Sequence, residues 1–301
     1  MSNIVSIPNV CRDERIGSAF NHLFRLIHQV ESISNDDVVW DFKECSFFHP
    51  FFLFPLALYK NSCGKSVIFK NMSSYLREYS KLIYFEDLLH INKDTHIEDI
   101  LNGYMDKTYI PICKFDLCMS NIDGLQSCIQ RIIESQCKAD KRITTPLSYF
   151  LGELICNMNQ HSDSLHGYIY SQYIHQERCI DMCIADSGIT ILGSYVKTKK
   201  YLEKIGDDDA IALKMANEGY STKDLPDNES RGYGISSSKN MLVDGLRGAF
   251  FMFSGGAFHR HSDCKSDYIK LPQSIYWSGT VILMRIPIEV PDDFNYEKYV
   301  E

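Results

Sequence analysis

The sequence predicts an α/β protein of two units, divided as residues 1–105 and 106–301. Three observations carry this. In the first third, short strand-like runs alternate with helical apolar patterns in the order βαβαβα, which suggests a small α/β sandwich. In the remainder, an amphipathic helix opened by Pro146 is followed by paired strand-like runs, a helix packed on an antiparallel sheet. Between them, Ile91 to Ile110, with its Asn, Asp and Gly residues, reads as a connector.

Composition narrows the class. At 301 residues, with 45% hydrophobic residues and mean hydropathy of -0.20, the chain can fill two cores. The longest apolar run, Phe47 to Tyr59, contains His49, Pro50 and Pro55 and is shorter than the ~20 residues a membrane span requires. Met1 to Asn9 lacks the basic start and apolar core of a secretory signal, so a cytoplasmic location is expected. Eleven scattered cysteines without a C-x-x-C pair read as reduced core thiols. A net charge of -8 without a basic cluster argues against nucleic acid as a partner, and no membrane partner is expected.

The first unit reads as strand Asn3–Ile7, helix Ile16–Val30, strand Val38–Phe42, an apolar helix Pro50–Lys60, strand Lys65–Lys70 and helix Ser73–Leu89. Pro55 must sit in the first turn of its helix or kink it. Cys63-Gly64-Lys65-Ser66 imitates the end of a phosphate-binding loop, but Tyr59 stands where the first glycine belongs, and a polar turn is the better reading. Val38–Phe42, Ser46–Leu53, Lys65–Asn71 and Tyr75–Tyr79 resemble the STAS-like domains related to anti-sigma factor antagonists. That family carries a phosphate-accepting serine before its first long helix; here the place is taken by His49-Pro50-Phe51-Phe52. The resemblance therefore implies a docking or regulatory module without the phospho-switch.

In the second unit, Ile122–Cys137 is helical, and the next helix spaces Glu153, Asn157 and His161 four residues apart. At about 100° per residue these side chains form one polar stripe that drifts only ~40° per step. Leu147, Phe150, Leu151, Leu154, Ile155 and Met158 fall on a neighbouring face for packing on a sheet. Alone, the stripe is equally the surface of an ordinary amphipathic helix. Strands are expected at Gly167–Ile174 and Arg178–Ala185, the second running into Asp186-Ser187-Gly188-Ile189-Thr190. A polar stretch, Lys197–Ser230, with a helical segment at Ala210–Asn217, reads as a cover over a site or a surface insertion. Gly232-Tyr233-Gly234 leads into a helix Ser236–Val243, a place where backbone N–H groups and the helix dipole favour anions. Strands at Gly248–Ser254, near Gly256–His261, and at Gly279–Ile288 complete the sheet. His259, His261, Asp263 and Cys264 imitate a metal site, but without a matching ligand pair a solvated turn is the better reading.

In this order the motifs resemble the ATP-binding domain of the GHKL family, which includes histidine kinases, gyrase-type and chaperone ATPases and anti-sigma serine kinases. Glu153…Asn157…His161 matches the N-box, Asp186-Ser187-Gly188 the first glycine box, Gly232-Tyr233-Gly234 the second, and Gly279-Thr280 the signature of the final strand. The resemblance implies a two-layer α/β sandwich with a mixed, mostly antiparallel sheet, binding ATP and Mg2+. It implies that Asn157 holds Mg2+, that Glu153 is the general base, that Asp186 accepts from the adenine amino group with Thr280 nearby, and that Gly188 lets the base approach. Gly232 and Gly234 would meet phosphates, with Lys223, Arg231 and His161 as further phosphate-side groups. One departure is Thr190, where the family has a second glycine. The implied function is an ATPase or serine/threonine kinase-like enzyme; the alternative is a nucleotide-gated, anti-sigma-like partner switch without turnover. A histidine kinase is disfavoured, since Ile122–Cys137 contains no histidine. A regulatory protein partner and a homodimer are family expectations.

Overall fold

The structure, a computed structural model, describes residues 3–11, 16–138, 141–222, 233–262 and 265–300. The chain divides into two units, Met1–Leu89 and His90–Glu301.

The first unit contains β1 (Ile4–Ser6), α1 (Ile16–Glu31), β2 (Asp37–Asp41), α2 (Pro50–Ser62), β3 (Ser66–Lys70) and α3 (Ser74–Leu82). The three strands pair in parallel in the order β1-β2-β3. Every residue of α2 from Pro50 to Tyr59 is buried, the mark of a core helix without a polar stripe. Pro55 lies past its first turn, and Pro50, at the start, needs no hydrogen-bond donor. His49 caps this helix: its Nδ1 accepts from the Phe51 backbone N–H at 3.2 Å. The imidazole thus occupies, as a structural cap, the place where the STAS resemblance expects a phosphate-accepting serine. Helix α3 ends at Leu82, short of the expected Leu89, and the chain then takes left-handed backbone at Tyr84 and Leu88, which no helix continues through.

The second unit contains β4 (Leu89–Ile91), α4 (Ile97–Leu101), β5 (Tyr109–Asp116), α5 (Ile122–Cys137), α6 (Lys141–His161), β6 (His166–Ile174), β7 (Cys179–Asp186), α7 (Ile191–Thr198), α8 (Leu202–Ile205), α9 (Asp209–Asn217), α10 (Tyr233–Asn240), β8 (Ala249–Gly255), β9 (Ala257–Ser262), β10 (Lys265–Lys270) and β11 (Trp277–Pro287). The strands form an eight-stranded sheet in the order β10-β9-β8-β11-β7-β6-β5-β4, antiparallel at every pairing from β10 to β5. Helices α5 and α6 pack on β5 to β7, and α7 and α9 on β8 to β10, so the unit is an α/β sandwich. The stretch expected as a connector carries the last residue of β4, all of α4 and the start of β5, at an edge of this sheet. Helix α6 begins at Lys141, and Pro146 sits inside it at the cost of one intrahelical bond, not at its start. Helix α10 runs Tyr233–Asn240 and widens into a π turn over Met241–Gly245.

The strand expected near Gly256–His261 is β9, and His259 and His261, read as part of a solvated turn, lie within it and are covered because β10 pairs with β9. His259 is fully buried, stacks on Tyr268 at 4.0 Å, and its Nδ1 lies 3.0 Å from the Asp267 carbonyl oxygen. Burial pushes its pKa down to about 3. Asp263 and Cys264 lie outside the described residues. Among the described residues, no helix is long and apolar enough to cross a membrane.

The sheet is braced by a buried ion pair. Arg285 on β11 stands opposite Asp181 on β7, donating from Nε and Nη2 to both carboxylate oxygens at 2.7 Å, while Nη1 reaches Glu177 at 2.6 Å. Asp181 is wholly inaccessible, so removing the guanidinium would strand a charge in the interior. Arg285→Ala is expected to destabilise the protein by about 3–5 kcal/mol, measured as a shift of the urea unfolding curve.

Candidate functional site

Helix α6 places Asn157 and His161 on the wall of a cavity closed by the end of β7, the start of β11, helix α7 and the N-terminus of α10. Its inner surface is mainly apolar, with Leu154, Met158, Ile189 and Ile282 contributing, and Asp186 and Thr280 set into it. The space enclosed, about 100 Å³, is small beside the roughly 300–1,000 Å³ of ordinary ligand clefts, a recess for a ring system more than for an entire nucleotide.

Asp186 is the centre of this recess. It is 5% exposed, and its Oδ1 accepts from the Gly188 backbone N–H at 2.9 Å, with the Thr280 N–H donating as well. Burial pushes its pKa up to about 7, against the pull of these two backbone donors, and no cation among the described residues offsets it. A buried carboxylate facing a mainly apolar recess is an acceptor suited to an uncharged N–H donor. Gly279, at φ 77°, lies so close that a Cβ there would come within 2.7 Å of Asp186 Oδ1. Ser254 ties the strand ends together, donating to the Gly279 carbonyl at 2.7 Å and accepting from the Ile191 N–H at 3.0 Å.

Thr190 has φ -71°, an ordinary extended backbone, and its hydroxyl caps α7 by accepting from the Gly193 N–H at 3.0 Å. No glycine is required at this position, where the threonine hydroxyl serves as the helix cap.

The polar stripe on α6 divides into three environments. Asn157 lines the cavity, and its Nδ2 is buried without a hydrogen-bond partner among the described residues. A half-turn of its last torsion would exchange that atom with Oδ1, the atom a hard cation takes. His161 also lines the cavity, but its Nδ1 is engaged with Thr222 Oγ1 at 2.9 Å, and that hydroxyl continues to Ser194 Oγ at 3.0 Å. Glu153 is outside the cavity lining. Its carboxylate lies against the start of α10, where a Cβ on Gly234 would sit 2.5 Å from Glu153 Oε2 and 2.8 Å from Asn157 Nδ2. A Cβ there would displace the ends of both side chains. Gly234→Ala is therefore expected to move Glu153 and Asn157 away from the start of α10 with far-UV circular dichroism unchanged, which a crystal structure of the variant checks.

The structure therefore brings Asn157, His161, Asp186, Gly234 and Thr280 to one cavity, with Gly188 bonded to Asp186 and Glu153 beside it. Lys223, Arg231 and Gly232 lie outside the described residues. Sequence reasoning missed Thr222 and Ser254. Both are unremarkable hydroxyls in the chain, and Ser254 gains its role only through the register that sets it opposite Thr280.

No family model matches the chain, and no curated protein matches it. Among solved structures, the B-subunit of DNA gyrase from Myxococcus xanthus is similar over 55% of this chain and 43% of that one, at 11% identity and a TM-score of 0.27. The chain thus matches less than half of that protein's length, and a likeness of this degree carries no argument. Fold and site define a two-unit α/β protein whose larger unit opens a mainly apolar recess around a buried carboxylate. The particular function rests on the chemistry of that recess.

Proposed function

We propose that the second unit binds Mg-ATP and acts as an ATPase or serine/threonine kinase-like phosphoryl-transfer protein of GHKL type. The observation that carries this reading is Asp186, a buried carboxylate with no cation beside it among the described residues, in a recess of ring size. It would accept from an exocyclic amino group, with Thr280 and the apolar wall toward the rest of the base. Asn157 suits the metal: magnesium takes few protein oxygens and keeps its waters, so one carboxamide beside phosphates suffices. When bound, Mg2+ would supply charge neutralisation for the phosphates. Glu153, beside Asn157 at the start of α10, would hold the proton of an attacking hydroxyl or water. The N-terminal end of α10 would offer backbone donors and its dipole to phosphates. The first unit is proposed as a STAS-like docking module for a regulatory protein.

The second reading is a partner switch gated by nucleotide without turnover. It is favoured by the position of Glu153, whose carboxylate packs on Gly234 and not into the cavity. Calorimetric titration of the full chain with ATP and GTP, each with Mg2+, tests the common core of both readings. Saturable binding of ATP in strong preference to GTP is expected, because the guanine carbonyl would oppose its lone pairs to Asp186. Equal affinity for both, or no binding, would sink the proposal.

A further inference from the structure

At the β4 edge of the large sheet, three neighbouring strands each contribute one side chain to a second polar cluster. His90 comes from β4, Asp116 from β5 and His166 from β6, all within the second unit. His90 Nε2 and His166 Nδ1 converge on the same atom, Asp116 Oδ1, at 2.9 and 3.0 Å. The two rings meet edge to face with centroids 5.9 Å apart, and one donor atom from each residue lies within 4.8 Å of the other two.

From this convergence we propose that His90, Asp116 and His166 form a binding site for a transition-metal dication of the Zn2+ class, separate from the nucleotide cavity. The donor set selects the ion. Two imidazole nitrogens and one carboxylate oxygen suit Zn2+, Co2+, Ni2+ or Cu2+, whereas Mg2+ and Ca2+ demand oxygen throughout. The spacing is also close to what such an ion needs. Tetrahedral bonds of about 2.0–2.1 Å separate ligand atoms by ~3.3 Å, so each ring has to withdraw slightly from Asp116 while the two nitrogens, which lie within 4.8 Å of each other, come to that spacing by small ring rotations. Three protein donors leave a coordination position for water, and the partial exposure of all three side chains gives an ion access.

The scaffold is fixed before any ion arrives. Asp116 stands directly opposite His166 in the β5–β6 ladder. Ser164 pins the backbone at His166, its hydroxyl donating to the His166 carbonyl at 2.8 Å and accepting from the His166 N–H at 3.1 Å. Strand-borne ligands held in this way are better placed than loop-borne ones. Lys114, two residues before Asp116 on the same face of β5, opposes the cation, but a lysine stem is long enough to turn its ammonium aside. The competing role for the cluster is a hydrogen-bonded bracket across three strands, which binds no metal.

The test uses the untagged full chain, stripped with chelator and titrated with Co2+ and Zn2+ without nucleotide. The proposal expects one ion per chain, a Co2+ absorption spectrum without thiolate-to-metal charge-transfer bands, and an affinity loss of at least ~10-fold in His90→Ala and in His166→Gln. Thiolate bands would assign the ion to the cysteines and overturn the proposal. So would absence of saturable binding, or equal binding by wild type and variants. The Co2+ spectrum of the wild type decides the ligand type even if a variant fails to fold.

Discussion

Asp186→Asn is expected to abolish adenine-nucleotide binding and, at the same time, to stabilise the ligand-free protein. The first effect follows from donor counting. The Gly188 and Thr280 N–H groups both donate to the carboxylate, so an asparagine keeps its one oxygen toward the Gly188 donor and its NH2 replaces the other acceptor. A donor then faces the donor of the adenine amino group, and the buried mismatch costs about 1–3 kcal/mol beyond the lost bond. The second effect follows from burial. A carboxyl moved from the ordinary 3.8 to about 7 costs the folded state up to roughly 4 kcal/mol at neutral pH and above. Between these values the folded protein binds more protons than the unfolded chain, so this group lowers stability as pH rises from about 4 to 7. Urea unfolding at pH 5 and pH 8 reads this directly: the stability lost by wild type between the two should be reduced in the variant. A variant that binds ATP normally would overturn the base-recognition assignment. One that is destabilised at pH 8 would show that Asp186 holds the strand ends together and has no unmet acceptor role.

Glu153→Ala is expected to separate binding from turnover. The carboxylate lies outside the recess where the base would sit, so its loss should leave ATP affinity within a few-fold of wild type. If it holds the proton of the attacking group, phosphate release or protein labelling from γ-labelled ATP should fall by about 10²- to 10⁴-fold. Glu153→Gln, which keeps the packing against Gly234, should show the same loss. Tight ATP binding with no turnover in wild type or variant would favour the partner switch over the enzyme.

What could be read from the chain beforehand was whatever depends on local spacing. The stripe on α6 needs only the helical repeat, and Asp186 declares itself by ending an apolar strand run just before Gly188. The misses are non-local. Strands β4 and β10 are short, and β5 begins inside a stretch whose Asn, Asp and Gly residues imitate a linker; only pairing with neighbours makes them strands. With β10 missing, His259 looked like part of a wet turn, although it is buried beneath Tyr268. The His90, Asp116 and His166 cluster was invisible for the same reason, since its members are separated by 26 and 50 residues and meet only through strand order. The Thr190 departure was legible as a departure, but its meaning required the backbone angle and the cap it makes on α7.

The central claim is that the recess around Asp186 takes the adenine of Mg-ATP. A crystal structure of the full chain with a non-hydrolysable ATP analogue and Mg2+ tests this most directly. The account predicts the adenine amino group within hydrogen-bond distance of the Asp186 carboxylate, the metal on Asn157 Oδ1 and the phosphates near the start of α10. Density for the analogue elsewhere on the molecule, with the recess still closed around Asp186, would contradict it.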